Sequence, residues 1–241
     1  MVNTPLKTPQ IVLRKSSERG QANHGWLKSN HTFSFAGYYD PKYQGFRHLL
    51  VINEDRIQGG SRFGTHPHRD MEIISYVING ALEHKDSMGN GSVINPGDVQ
   101  IMSAGTGVTH SEYNHNQEDT THFLQIWIVP NQKGLKPGYQ QEYFSPESKQ
   151  NQLRLLVSPD GEGGSVVIHQ DAKLFASILD PQVQVSYDFA PERYGWIQMV
   201  RGKLSVNGMV LETGDGAAIS NTQTLNLQAE ESSEFLLFDL A

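Results

Sequence analysis

Cysteine is absent from the 241-residue chain. That removes disulfides, thiolate nucleophiles and sulfur-ligated structural zinc in one step, and it suits a reducing compartment such as the cytoplasm. Long apolar runs are missing as well: nothing approaches the ~20 residues that a membrane helix needs. The opening MVNTPLKTPQIVLRK lacks the charged start and apolar centre of a secretory signal. Basic clusters are also lacking. The 19 Lys and Arg residues are scattered and the formal net charge is −7, so neither a nucleic-acid stripe nor a membrane-binding patch is expected. Docking onto another protein stays open.

A sustained helical period is the last absence. In its place come short runs rich in β-branched and aromatic residues, separated by turn signals. In the first half they are Gln10 to Arg14, the aromatic-rich His24 to Asp40, RHLLVINEDRI (Arg47 to Ile57) and MEIISYVING (Met71 to Gly80). SVINPGDVQIMSAG, VTHSEYNH and THFLQIWIVP follow. A Gly-, Pro-, Gln- and Lys-rich connector at Asn131 to Gln150, with room for a short helical turn, precedes a second set of strands. Asn207-Gly208 in that set marks a two-residue hairpin. The chain therefore reads as all-β, a barrel or sandwich, long enough for one large domain or two of modest size.

The second half looks like a worn copy of the first. Aligning Gly80 with Gly202 sets ISYVINGAL beside IQMVRGKL, and each is followed by a Gly-Asp pair, Gly97-Asp98 and Gly214-Asp215. Without gaps, this register puts Asp188 and Ala190 opposite His66 and His68. It puts Leu227 and Ala229 opposite His110 and Glu112. The second half holds a single histidine, His169, so it cannot repeat a histidine site.

Two pairs in the first half carry the chemistry: His66 with His68, and His110 with Glu112. In an extended strand, side chains two apart share a face, so each pair aims two donors at one point. If the strands face each other, three imidazoles and a carboxylate converge, a set suited to a divalent first-row metal. Six of the ten histidines lie between His66 and His122; exposed polar loops would explain that clustering, but not the repeated i, i+2 spacing. Four ligands on a six-coordinate ion leave two positions for substrate, water or dioxygen. Iron, manganese, cobalt and nickel suit such a site, and zinc can occupy it. The work expected is Lewis-acid binding of an oxygen-bearing substrate, with electron transfer to dioxygen as an option. Asp70, Glu72, His84, His115, His122 and Gln125 are candidates for the surrounding hydrogen-bonding shell. His24 and His31 read as surface or hydrogen-bonded residues. The glycines of Gly161 to Gly164 have no phosphate-cradle context, and those of Ser103 to Gly107 form a tight turn.

The runs GTHPHRDMEIISYVINGALEHKDSMGN, PGDVQIMSAGTGVTHSEYNH and LQIWIVP resemble the pirin family of the cupin superfamily, especially its bacterial quercetinase-like members. HGWLKSNHTFSFAGYYDP and the final LLFDL are similar too, so the resemblance covers nearly the whole chain. It implies a bicupin: two β-barrel (jelly-roll) domains, the first (1–135) binding metal and the second (136–241) degenerate and without metal. It assigns His66, His68, His110 and Glu112 as ligands of one divalent transition metal, Fe(II) first, with Mn, Co, Ni or Zn as alternatives. Cupins more generally draw a carboxylate ligand from the first motif, where Glu72 stands; the pirin pattern uses Glu112 and leaves Glu72 outside the ligand set. The activity implied is that of a quercetin 2,3-dioxygenase, which cleaves a flavonol or related polyphenol with dioxygen and releases carbon monoxide, Glu112 accepting the substrate proton. The alternative implied by the same family is a redox-sensing regulatory protein that uses the same ligands and acts through a protein partner.

Overall fold

The structure, a computed structural model, describes Thr8 and residues 10–241. Its strands fall into two compact units. The histidine-bearing unit comprises Arg19–Ser148 and Leu155–Lys173; the C-terminal unit takes the stretch through Glu18, Lys149–Arg154 and Leu174–Ala241. Among the described residues the one α-helix is Pro146–Lys149, and no helix is long and apolar enough to cross a membrane. The helix lies in the predicted connector, which also carries the strand Gly138–Tyr143.

In the histidine-bearing unit a seven-stranded sheet runs in the order Gly138–Tyr143, Asp98–Ser103, Glu72–Asn79, Thr121–Ile128, Leu49–Ile57, Leu27–His31, Gly20–Asn23. A four-stranded sheet, in the order Arg62–His68, Val108–Asn114, Leu82–Asp86, Gly91–Ile94, packs against it. Leu27, Ile57, Val77 and Phe123 from the larger sheet meet Leu82 and Ile94 from the smaller, with Trp26 and Phe63 at the margin. Each of these side chains contributes roughly 1.5–3 kcal/mol on burial, the term that holds the layers together. A second cluster of Ile73, Met102, Ala104 and Val108 closes the core beside Trp127. The layers form a jelly-roll sandwich of the cupin type.

The C-terminal unit repeats the pattern. Its four-stranded sheet has the order Gln184–Asp188, Thr224–Ala229, Lys203–Val206, Met209–Glu212, strand for strand the order of the smaller sheet above. Gln10–Arg14 pairs here with Gly216–Ser220. Asn207 and Gly208 both have positive φ, as the hairpin between Lys203–Val206 and Met209–Glu212 requires.

One detail of the repeat differs from the gap-free register. Glu112 pairs with His84, and Leu227 pairs with Val206. With Gly80 and Gly202 equivalent, His84 and Val206 correspond, so Leu227 stands in the place of Glu112 and Leu225 in that of His110. The turn after Ser220 is shorter than the turn after Ser103. Leu225 and Leu227 are fully buried core residues. Where the first unit has donors, the second has hydrocarbon.

Candidate metal centre

The strand Arg62–His68 lies at the edge of its sheet and pairs only with Val108–Asn114. An edge position tolerates Pro67, which has no N–H to give the ladder. His66 stands directly opposite His110, but the next pairing is Glu112 with Phe63. This irregularity inserts one extra residue between Phe63 and His66 and bends the strand at the site. The bend lets His66 Nδ1 donate to the carbonyl of Gly64 at 2.8 Å. A carbonyl can only accept, so the proton sits on Nδ1 and the Nε2 lone pair of His66 is left free.

His66, His68 and His110 come together. One ring nitrogen from each lies within 4.8 Å of the others, and the Nε2 atoms of His66 and His110 are 3.0 Å apart. The ring centroids stand 4.5 to 4.8 Å from one another. Burial pushes His110 down to about 2 and His68 down to about 4, neighbouring imidazoles adding to the effect. Both rings are neutral at pH 7, the form a metal requires. Three convergent imidazole nitrogens fit a divalent transition ion.

Behind His110 the chain of donors continues inward. His84 Nε2 lies 3.1 Å from Asp86 Oδ2, and His84 Nδ1 lies 3.4 Å from His110 Nδ1. Burial lowers the His84 pKa, so the ring is neutral, and the carboxylate claims its one proton on Nε2. Its Nδ1 must then accept from His110 Nδ1–H, which leaves the His110 Nε2 lone pair toward His66. Asp86 is itself fixed by Asn90 and the backbone N–H of Met88.

Glu112 occupies a different position from the three rings. Its carboxylate is not part of the three-nitrogen set; Gln125 Nε2 donates to its Oε1 at 3.1 Å. Burial first, and the charge of Asp55 second, push it up to about 8. Of the shell candidates, His84 and Gln125 touch these residues. Glu72 is occupied elsewhere, accepting from Ser103 Oγ at 2.9 Å and facing His169 Nδ1 at 3.3 Å. His122 bonds Glu54, His115 bonds Glu83, and Asp70 accepts from the Gly134 amide.

A cavity of about 820 Å³ opens onto the cluster. Its apolar wall is Trp26, Leu27, Phe35, Phe63 and Trp127; its polar wall includes His24, His31, Asn53, Asp55, Glu112 and Gln125. His68 meets Trp127 edge-on at 5.0 Å, and Phe35 meets the same indole at 5.4 Å. His31 is hydrogen-bonded to Asn53 Oδ1 at 2.9 Å and stacks on Phe35. Sequence reasoning passed over Asp86 and Asp55. Asp86 was within reach of the i, i+2 rule from His84, whereas Asp55 lies in a strand that ends in charged residues and gave no such signal.

Comparison with known proteins identifies the family. The family model described as Pirin matches residues 12–128, and that described as Quercetinase C-terminal cupin domain matches residues 155–240. A quercetin 2,3-dioxygenase of Escherichia coli K12 is 50% identical over 231 residues, 95% of this chain and 98% of the relative. A pirin-like protein of Caulobacter vibrioides is 39% identical over 96% of this chain and 100% of its own length. The crystal structure of the bacterial pirin YhhW from Escherichia coli in complex with nickel(II) superposes with a TM-score of 0.92 at 49% identity, covering 96% of this chain and 99% of that one.

Proposed function

The chain belongs to the pirin family, and from that premise we propose that it is a metal-dependent dioxygenase of the quercetin 2,3-dioxygenase type. It cleaves a flavonol with dioxygen and releases carbon monoxide. The observation that carries this reading is the cluster of three imidazoles at the wall of an aromatic-lined cavity of about 820 Å³. A relative of 50% identity bears the same activity as its name. We place the enzyme in the cytoplasm, where a chain without cysteine loses nothing to reduction.

His66, His68 and His110 would hold one divalent transition metal, with Glu112 as the fourth ligand; Fe(II) is our choice, and nickel(II) in the related YhhW complex belongs to the same class. When bound, that ion supplies Lewis acidity toward a substrate oxygen and a route for electrons to dioxygen. The remaining work falls to the chain. Trp26, Phe35, Phe63 and Trp127 pack flat rings and keep water from the reacting face. Glu112 is the base. Gln125 holds its Oε1, leaving Oε2 to take the hydroxyl proton of the flavonol. Losing the proton makes the flavonol electron-rich enough to react with dioxygen.

The test is anaerobic reconstitution with iron, manganese, cobalt, nickel or zinc, followed by quercetin and oxygen. Metal-dependent loss of the flavonol absorbance with carbon monoxide in the headspace is the expected result. Metal-dependent capture of a protein partner without turnover by any of the ions contradicts it.

A further inference from the structure

The cavity contains a polar group that metal binding does not use. Asp55 is 5% exposed and lines the cavity, and its Oδ1 has no hydrogen-bond partner. Ser29, its cross-strand neighbour, supplies the other oxygen with a hydrogen bond. A buried carboxylate oxygen without a partner costs free energy, and among the described residues no cation is paired with it to offset that. Among the cavity-lining residues one further buried polar atom lacks a partner: Trp127 Nε1.

Strand register fixes how these two atoms are arranged. Asp55 pairs with Phe123 of the strand Thr121–Ile128, which carries Phe123, Gln125 and Trp127 on one face. At ~3.3 Å per residue, the Asp55 level and the Trp127 level lie about 13 Å apart along the strand. His68 sits against Trp127, and Gln125, midway along the strand, holds Glu112, so Asp55 marks the end of the polar wall away from His68. The ligand that fits is elongated, flat and apolar in its middle, with a hydroxyl at the end away from His68.

We propose that Asp55 is the substrate-recognition residue of this cavity, its Oδ1 accepting a hydrogen bond from a phenolic hydroxyl at the end of the ligand away from His68. The inference rests on the flavonol reading above and extends it, because it requires a polyhydroxylated ligand rather than any aromatic of the right size. Asp55 positions; it does not touch the reacting atoms.

The experiment measures dissociation constants on zinc-reconstituted protein without oxygen, by quenching of tryptophan fluorescence. The probes are quercetin and flavonols that each lack one of its hydroxyls. Asp55→Ala is expected to weaken quercetin by on the order of 10- to 100-fold while leaving unchanged the affinity for the one analogue that lacks the recognised hydroxyl. Asp55→Asn, which keeps an acceptor oxygen, restores part of the discrimination. Neither substitution lowers the melting temperature of the ligand-free protein, since each removes an uncompensated buried acid. Equal affinities in wild type and Asp55→Ala, a uniform loss across all analogues, or a lowered melting temperature in both variants overturns the proposal. If that happens while wild type still consumes quercetin, the dioxygenase reading stands without it. A wild-type protein that binds no flavonol ends both.

Discussion

His84 presents Nδ1 to His110 Nδ1 at 3.4 Å while its Nε2 is held by Asp86 at 3.1 Å, so one buried carboxylate sets the tautomer of two rings. Asparagine at position 86 can turn its amide and offer a donor instead, and the order of protons along the chain is lost. Asp86→Asn is therefore expected to weaken metal binding by about 10- to 100-fold with the fold retained. Competition against a chelator of known affinity, beside a far-ultraviolet spectrum, measures this. An unchanged metal affinity removes the relay from the account.

Asp55 and Glu112 give the metal-free protein a defined pH dependence. Burial raises them from 3.8 to about 7 and from 4.5 to about 8. Between the unfolded and folded values the native state holds protons that the unfolded chain has released, so stability falls as pH rises from about 4 to about 8. The effect is on the order of a few kcal/mol. Thermal melts of wild type from pH 5 to pH 8 are expected to decline, and those of an Asp55→Asn, Glu112→Gln double variant to stay nearly level. Parallel curves contradict the assignment.

Glu54 behaves in the opposite sense. Burial alone would raise it, but His122, Arg19 and Arg56 outweigh burial and hold it well below the ordinary value of 4.5. Arg19 approaches to 2.6 Å with both side chains buried. A carboxylate with a depressed folded pKa contributes stability that is fully present above the unfolded value and is lost as pH falls through the folded one. Glu54→Gln is expected to cost about 3 kcal/mol at pH 7, and the gap from wild type to narrow by pH 3. Denaturant titrations at the two pH values decide it.

Gly80 and Gly202 hold the same turn in the two units, at φ of 82° and 83°. A Cβ on Gly202 would collide with the carbonyl oxygen of Ser232, whereas one on Gly208, at φ 86°, meets open space. Gly208→Ala is expected to cost about 1 kcal/mol, and Gly202→Ala clearly more. Equal losses in denaturant melts contradict this difference in the space around the two glycines.

How far the sequence carried the account depends on what each feature needs. Strand period, the Asn207-Gly208 hairpin and the paired Gly-Asp turns are local, so they were legible. The i, i+2 spacing brought His66, His68 and His110 to one face because strand geometry alone achieves that. It could not foresee the irregularity beside His66, which sets the pairing of Glu112 with Phe63 instead of the next residue in line. Nor could it foresee that Gln125 from the other sheet holds Glu112. Asp55 was hidden for another reason. Its strand ends in Asn53-Glu54-Asp55-Arg56, a run that looks solvated, yet Asn53, Glu54 and Asp55 are buried. Cross-sheet partners and a cavity wall decided that, and neither is written in one segment.

The most direct measurement is crystallographic. Crystals of the iron-reconstituted protein, recorded across the iron absorption edge, report the ion's position and its ligands together. One anomalous peak per chain is expected, at about 2.0–2.2 Å from nitrogens of His66, His68 and His110, and no such peak in His110→Ala. An ion seated in the C-terminal unit, or a vacant histidine cluster in crystals that carry iron elsewhere, contradicts the account.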